Sequence, residues 1–310
     1  MRRWFCLWLL LGILLSLPSC GASDPAKGEG VSLTDDLGNV ILIRPEDRVA
    51  ACHASFADAW LLAGGTLAGA TLDAVEEHGL AVGEAAMIGT AKTVNAEAMV
   101  AAGITVALLS ADLAAHLTLK EHLESLGIAC AYFRVDTFSD YASVMERFCA
   151  VTGRSDLYEQ HVTRVAERIA AVRAVLPGGE TRSLLLMRVY STGIKAKGED
   201  HLAGQIVKEF GFSNLADANP SLLETMSLEH IVATDPDVIL VLTMGNEAAA
   251  LGYLEGQIET NPAFAGLTAV REGRYFLLPR DLFHYKPNER WDESYEYLAK
   301  LLYPEVFAAS

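Results

Sequence analysis

Strands alternate with helices on both sides of one long amphipathic stretch, and few folds accommodate that order. The stretch runs from Ser155 to Leu176 (SDLYEQHVTRVAERIAAVRAVL). Val162, Val165, Ile169, Val172 and Leu176 recur three or four residues apart, while Arg164, Glu167, Arg168 and Arg173 fill the opposite face. That spacing predicts a helix of about five turns. Ser155 or Asp156 caps its start, and Pro177-Gly178-Gly179 stops it. No Pro, Gly pair or bulge signal lies inside it, so it reads as a stiff beam near the middle of the chain.

Before the beam, the predicted order is a hairpin over Val31–Ile43, then strands at Arg48–Cys52, Leu67–Thr71, Thr105–Ser110 and Ile128–Val135. Helices are expected at Phe56–Ala63, Ala96–Ala102, Leu117–Leu126 and Phe138–Val151. After it come strands at Ser183–Val189, Val238–Leu242 and Arg274–Leu278. Helices fall at His201–Phe210, Leu228–Ala233, Ala248–Thr260 and Trp291–Leu302. Such alternation implies an α/β fold of two lobes, each a parallel-type sheet flanked by helices, with the beam as connecting helix. The lobes are assigned to residues 31–154 and 178–310 and the connector to 155–177. A hydrophobic content of 51 % over 310 residues is ample for both cores.

An internal repeat relates the lobes. Asn95–Ser110 (NAEAMVAAGITVALLS) aligns without a gap on Ser227–Leu242 (SLEHIVATDPDVILVL). Glu97 matches Glu229, Val100-Ala101 matches Val232-Ala233, and Val106 and Leu108 match Val238 and Leu240. Each copy is a short helix opened by a glutamate, then a turn, then a buried strand.

The first twenty residues read as a secretory leader. Arg2 and Arg3 precede an apolar run from Trp4 to Leu17, too short for an ordinary spanning helix. Its end, Leu17-Pro18-Ser19-Cys20, resembles the bacterial lipobox, whose cysteine becomes lipidated; ordinary cleavage leaving a free cysteine is the alternative. Residues 21–30 (GASDPAKGEG) suit a flexible tether. With Cys6 and Cys20 so placed, Cys52, Cys130 and Cys149 remain, an odd set that reads as buried free thiols. A net charge of -16 argues against nucleic acid or an anionic membrane surface as partner.

Three pieces of the chain resemble the periplasmic-binding-protein family that serves ABC importers of iron–siderophore, haem and cobalamin. They are the opening DDLGNVILI…RVAACHASFADAWLLAGG, the paired glutamate motifs, and the tail GRYFLLPRDLFHYKPNERWDESYEYLAKLLYP. The resemblance covers roughly Val31 to Pro304. It implies a ligand cleft between two lobes joined by one rigid helix, with Ser155–Leu176 as that helix. It also implies an ABC permease and its ATPase subunits as partners, a monomeric binding protein, and docking through Glu97 and Glu229. A bland role for both glutamates is to favour a helix N-terminus.

Open α/β sheets bind ligands at strand C-termini. That rule nominates Cys52, His53 and Ser55, then Thr90 and Lys92, then Ser110 and Asp112. In the second lobe it nominates Arg188, Tyr190, Lys195 and Lys197, then Thr243 and Met244, then His284 and Tyr285. Arg188, Lys195 and Lys197 form a basic stretch in an acidic protein, suited to an anionic ligand such as a ferric catecholate or a haem propionate. His53, His201, His284 and Tyr285 raise the question of iron, since imidazole and phenolate both suit it, yet they lack the short spacings of a metal motif. The expected cargo is an iron–siderophore chelate, with haem or cobalamin as alternatives and oxyanions of the molybdate type more remote.

An enzyme built on Cys52 or the His201 region is the competing class. Neighbours on a strand point to opposite faces, so Cys52 and His53 do not pair. The chain contains no nucleophile elbow, phosphate loop or HExxH. The expectation is a binding protein without catalytic residues, in the periplasm or at the cell surface.

Overall fold

The computed structural model describes residues 30–177, 182–219 and 228–308. The leader, Cys20, most of the tether and the Gly178-Gly179 stop lie outside the described residues.

The first lobe opens with a hairpin, β1 (Val31–Thr34) and β2 (Val40–Ile43). Its sheet is all parallel. The order is β5 (Ala86–Met87), β4 (Gly69–Ala70), β3 (Val49–Ala51), β8 (Val106–Ser110), β9 (Ala129–Phe133). Every residue of β3 and β8 is buried, the continuous apolar run that a strand covered on both faces needs. Helices α1 (Ala54–Leu62), α2 (Leu72–Glu76), α3 (Ala96–Ala101), α4 (Ala114–Leu117), α5 (Lys120–Ser125) and α6 (Phe138–Thr152) connect and cover it. A short hairpin, β6 (Gly89–Thr90) and β7 (Thr93–Val94), stands beside α3.

Helix α6 shows how local sequence fixes an element. Thr137 and Asp140 make a reciprocal capping box at its start, and Gly153 ends it at φ 71°. Its inner face carries Phe148 edge-on to Trp60 and Phe133, at centroid distances of 5.2 and 5.0 Å.

The expected helix Leu117–Leu126 is reduced to α5, and a separate turn, α4, precedes it and ends at Leu117. Buried His116 is tied back to the end of β8, and Thr118 Oγ1 donates to the Ala115 carbonyl at 3.0 Å. Such side-chain bonds compete with a continuous helix. The strand expected over Leu67–Thr71 shrinks to Gly69–Ala70.

The connector is also different from the expected uniform helix. It consists of α7 (Ser155–Tyr158), a π turn (Glu159–Thr163) and α8 (Arg164–Val175). The expectation of no bulge inside the beam is therefore corrected. A π turn admits an extra residue and loosens the ordinary ladder. The Tyr141 hydroxyl donates to the His161 carbonyl at 3.4 Å, and the His161 imidazole pairs with Glu289 at 2.5 Å.

The second lobe is built on β10 (Ser183–Tyr190), which pairs in parallel with β12 (Ser213–Asn214) and β13 (Val238–Thr243); β14 (Tyr275–Leu277) extends the sheet beyond β13. The basic stretch folds back as an antiparallel edge strand, β11 (Gly193–Lys197). Helices α9 (Leu202–Glu209), α10 (Leu215–Ala218), α11 (Leu228–Thr234) and α12 (Glu247–Thr260) follow, and α13 (Pro262–Ala265) and α14 (Thr268–Arg271) lead into β14. After β14 come α15 (Arg280–Phe283), a 3-10 turn over Asn288–Arg290, α16 (Trp291–Leu302) and α17 (Pro304–Phe307).

Helix α16 packs along α8. Val162, Val165 and Ile169 of the connector share one apolar cluster with Phe148 of the first lobe and Leu184, Phe210 and Leu298 of the second. The lobes thus share a core at the connector. The repeat also has a counterpart in space. Helices α3 and α11 each lead into a central strand, burying Met99 and Ile231 and exposing Val100 and Val232.

Candidate functional site

Two walls meet where the parallel strands end. On the first lobe, β3 delivers Cys52 and His53. Cys52 is fully buried, and burial, then the neighbouring Cys130, pushes its thiol far above the usual range, which disfavours a thiolate at this position. His53 caps α1, its Nδ1 accepting the Ser55 N–H at 3.3 Å. Burial, then His116, holds its imidazole down to about 4. Ser55 is buried in the first turn of α1.

The hairpin bearing Thr90 and Lys92 is pinned from behind. Asp73 accepts the Ala91 N–H at 2.9 Å, and His116 bridges the Ser110 N–H (2.8 Å) to the Ala91 carbonyl (2.8 Å). Ser110 is buried, and its hydroxyl accepts from the Asp112 N–H at 3.2 Å. Thr90 Oγ1 accepts from the Thr93 N–H at 3.2 Å, and Lys92 is exposed at the hairpin tip. Asp112 is paired with Arg134.

On the second lobe, Arg188 sits on β10 between Lys195 of β11 and Leu242 of β13. It is half-buried, and no carboxylate among the described residues pairs with it. Lys195 is exposed, Lys197 pairs with Asp200, and Tyr190 ends the strand. His201 caps α9, with Nδ1 accepting the Ala203 N–H at 3.2 Å. Burial, then Arg188, Lys286 and Lys197, holds its imidazole down to about 3. Thr243 is buried and donates to Glu247 at 3.3 Å, and Met244 follows half-buried. His284 is held down to about 4 by burial, then Arg280 and Arg188, while a bond to the Thr243 carbonyl acts in the opposite sense.

The segment after α15 carries the second wall across to the first. The Tyr285 ring lies 4.0 Å from His78, and its hydroxyl donates to Glu77 Oε2 at 3.4 Å. Lys286 Nζ pairs with Asp136 at 3.0 Å. Asn288 Nδ2 donates to the Ser55 carbonyl (2.9 Å) and to Asp58 (2.7 Å). Lys286 acts on His53 of one lobe and His201 of the other, and Arg188 acts on both His201 and His284.

Of the nominated residues, His53 thus lies within electrostatic reach of Lys286, and Arg188 within reach of His201 and His284, where the lobes meet, with Tyr285 packed beside His78. Thr90, Lys92 and Lys195 stand at exposed positions, and Ser55 and Ser110 are buried in the supporting turns. Glu77, His78, Asp136 and Lys286 were not nominated, because they come from helix ends and loops beyond the strand tips. A cation held by the Lys286-Pro287 kink was the available signal. Glu97 is exposed in the first turn of α3, behind the Asn95 cap; Glu229 is the second residue of α11.

Among the described residues no group of three or more His, Cys, Asp or Glu is placed to hold a metal ion, and no helix is long and apolar enough to cross a membrane. A depression of about 780 Å³ lies away from the cleft, between the end of α8 and the last helices. Its Arg182 is already committed, stacked on Phe212 and Tyr303 and bonded to the Leu302 carbonyl. Arg188, by contrast, is half-buried and has no carboxylate partner among the described residues.

The cleft imidazoles set a pH limit on the empty protein. In the unfolded chain they titrate near 6.5, and in the folded one near 4 for His53 and His284 and near 3 for His201. Below pH 6.5 the unfolded chain binds protons that the native state does not. Stability is therefore fully present above 6.5 and falls as pH drops towards 4. Thermal melts from pH 8 to 4 test this; an unchanged Tm across that range contradicts it.

The family described as Periplasmic binding protein matches residues 51–282. A Bacillus subtilis (strain 168) protein named as the ABC transporter substrate-binding lipoprotein YhfQ is 22 % identical over 292 residues, 88 % of each chain. Among solved structures, Staphylococcus aureus IsdE complexed with heme superposes with a TM-score of 0.67 at 14 % identity. That match covers 83 % of this chain and 99 % of IsdE. Staphylococcus aureus SirA complexed with staphyloferrin B gives 0.66 at 15 % identity, covering 89 % of this chain and 98 % of SirA. At these identities the two structures speak for the fold.

Proposed function

The chain belongs to the periplasmic binding protein family, and from that premise we propose that it is the substrate-binding lipoprotein of an ABC importer for an iron–siderophore-type chelate. The ligand is held between the lobes and passed to a permease driven by its ATPase subunits. The family is one of transport binding proteins, not an enzyme class. The proposal includes a lipid anchor at Cys20, an extracytoplasmic location and a monomeric state.

One observation carries the choice of ligand. In a chain of net charge -16, Arg188 lies among imidazoles held neutral and has no carboxylate partner among the described residues, while Lys286 beside them is shared with Asp136. An anionic chelate supplies the missing charge. That SirA was solved with staphyloferrin B supports the same class of cargo. Haem is a second reading, favoured by His284, half-buried with its ring edge-on to Tyr285 at 4.7 Å. That support orients an imidazole for an axial iron bond, as IsdE with its heme invites one to test. Cobalamin has no comparable feature in its favour.

Native mass spectrometry and absorbance spectra of the protein mixed with ferric chelates, haemin and cobalamin test the proposal. Retained iron together with its chelator and a charge-transfer band is the expected result. A shifted Soret band selects haem instead, and no complex with any of them removes the cleft reading.

Glu97 and Glu229, carried on equivalent helices of the two lobes, are proposed as the docking points for the permease. Carboxylates on two separate lobes fix orientation and speed encounter more than they add affinity. The double variant Glu97→Ala/Glu229→Ala is expected to leave chelate affinity unchanged and lower uptake by cells several-fold. Wild-type uptake by that variant removes the assignment.

A further inference from the structure

Two imidazoles, one on each lobe, are held in the same way. His53 closes the start of α1 and His201 that of α9, each accepting a backbone N–H on Nδ1. A ring nitrogen that accepts a hydrogen bond carries no proton, so a neutral imidazole keeps its proton on the other nitrogen. In both rings Nε2–H is thereby fixed as a donor directed away from the helix it caps. No described residue accepts from either Nε2. Neither Nε2 is among the buried side-chain nitrogens and oxygens that lack a partner, so each unpartnered donor still reaches accessible space, where a ligand acceptor can meet it.

The surroundings say what that acceptor is. Lys286 acts on both rings, and Arg188 acts on His201 without a carboxylate partner of its own among the described residues. Two fixed N–H donors beside the unpaired Arg188, with Lys286 shared with Asp136, make a lining for negatively charged oxygens. They make a poor lining for a bare metal ion. To bind iron through Nε2, either ring has to lose that proton, and as a neutral ring move it to Nδ1 and release its helix cap.

The geometry points to His53 and His201 as a matched pair of donors, one per lobe. Together with Arg188 they hold anionic oxygens on the outside of the bound chelate and take no part in coordinating its metal. The inference rests on the cleft being the ligand site. It assigns the cargo to chelates that present carboxylate or catecholate oxygens outward, and it makes the two histidines specificity-determining.

Asparagine and glutamine separate donor from cap. Asn retains a good N-cap acceptor but loses the outward N–H, whereas Gln reaches towards the Nε2 position with an amide N–H. The probes are the Fe(III) and Ga(III) complexes of citrate and of a tris-catechol chelator, titrated calorimetrically into the full-length protein. His53→Asn and His201→Asn are each expected to weaken binding of at least one Fe(III) complex about tenfold while leaving the Tm of the empty protein nearly unchanged. The Gln variants are expected to recover part of that loss. Nitrogen-15 NMR of the wild-type rings is expected to show the Nε2–H tautomer both before and after the diamagnetic Ga(III) complex binds. Wild-type affinity in both Asn variants, or a ring nitrogen that becomes metal-bound, overturns the pair while leaving the cleft reading standing. Failure of the wild type to bind any of the four complexes removes the iron-chelate reading and the pair with it.

Discussion

Gly204→Ala is expected to destabilise the protein by about 3 kcal/mol, at the upper end of what overpacking ordinarily costs. A Cβ at this position meets the Gly198 carbonyl oxygen at 2.0 Å and the Gly198 carbonyl carbon at 2.7 Å. Both are backbone atoms, so no side chain can rotate out of the way. Helix α9 has to move off the turn that precedes it, and His201 moves with the helix. The loss therefore appears twice, as a lower urea midpoint and as weaker chelate binding. Gly252→Ala is the control. Gly252 is exposed within α12, and an added Cβ there meets nothing within 4 Å. It is expected to stabilise by about 0.5–1 kcal/mol through the lower entropy of the unfolded chain. If both substitutions act alike in urea unfolding, the close approach of α9 to Gly198 is not a feature of the folded protein.

Asn288→Ala is expected to cost about 3 kcal/mol, from three losses at one residue. Asn288 is 2 % exposed with φ 49°, a left-handed conformation that Asn tolerates and Ala does not favour. Its amide satisfies the Ser55 carbonyl and the Asp58 carboxylate, both on α1. Asp58 is raised above the usual carboxylate range by burial, and the bond from Asn288 opposes that shift. Without Asn288 the carboxyl rises further. A carboxyl raised in the native state binds its proton more tightly there than in the unfolded chain, so stability falls as pH rises through that window. The variant should accordingly be most impaired at neutral pH and recover part of the loss towards pH 4. Asn288→Gly separates the terms, since it relieves the backbone but restores neither bond. Equal stability of wild type and Asn288→Ala at pH 7 contradicts the bridge.

How much of this was legible beforehand follows from what each element rests on. Strands β8, β10 and β13 are long apolar runs buried on both faces, and their sequence ranges agree with the structure to within about a residue. Strands β4 to β7 have two residues each, too few to show any periodicity. The π turn was invisible because Val162, Val165 and Ile169 keep a helical rhythm across it; an inserted residue changes the hydrogen-bond ladder without disturbing the apolar face. At the cleft, His53 follows the end of β3, Arg188 lies near the end of β10, and His284 and Tyr285 come in the connection after β14, so all four could be nominated from topology. His78 ends a helix, and Lys286 reaches Asp136 across the gap between lobes. Such partners follow from how the lobes meet, which no local pattern records.

The π turn and the Asn288 bridge have a joint mechanical consequence. The chain crosses between the lobes at the connector, where Tyr141 holds the loosened turn through the His161 carbonyl, and again at Asn288, which is fastened to α1. Lys286 with Asp136 and Tyr285 with Glu77 add polar ties between the same lobes. Parting the lobes costs least where it breaks only such partly exposed polar contacts, each worth about 0–1 kcal/mol, and leaves the shared apolar core beside α8 intact.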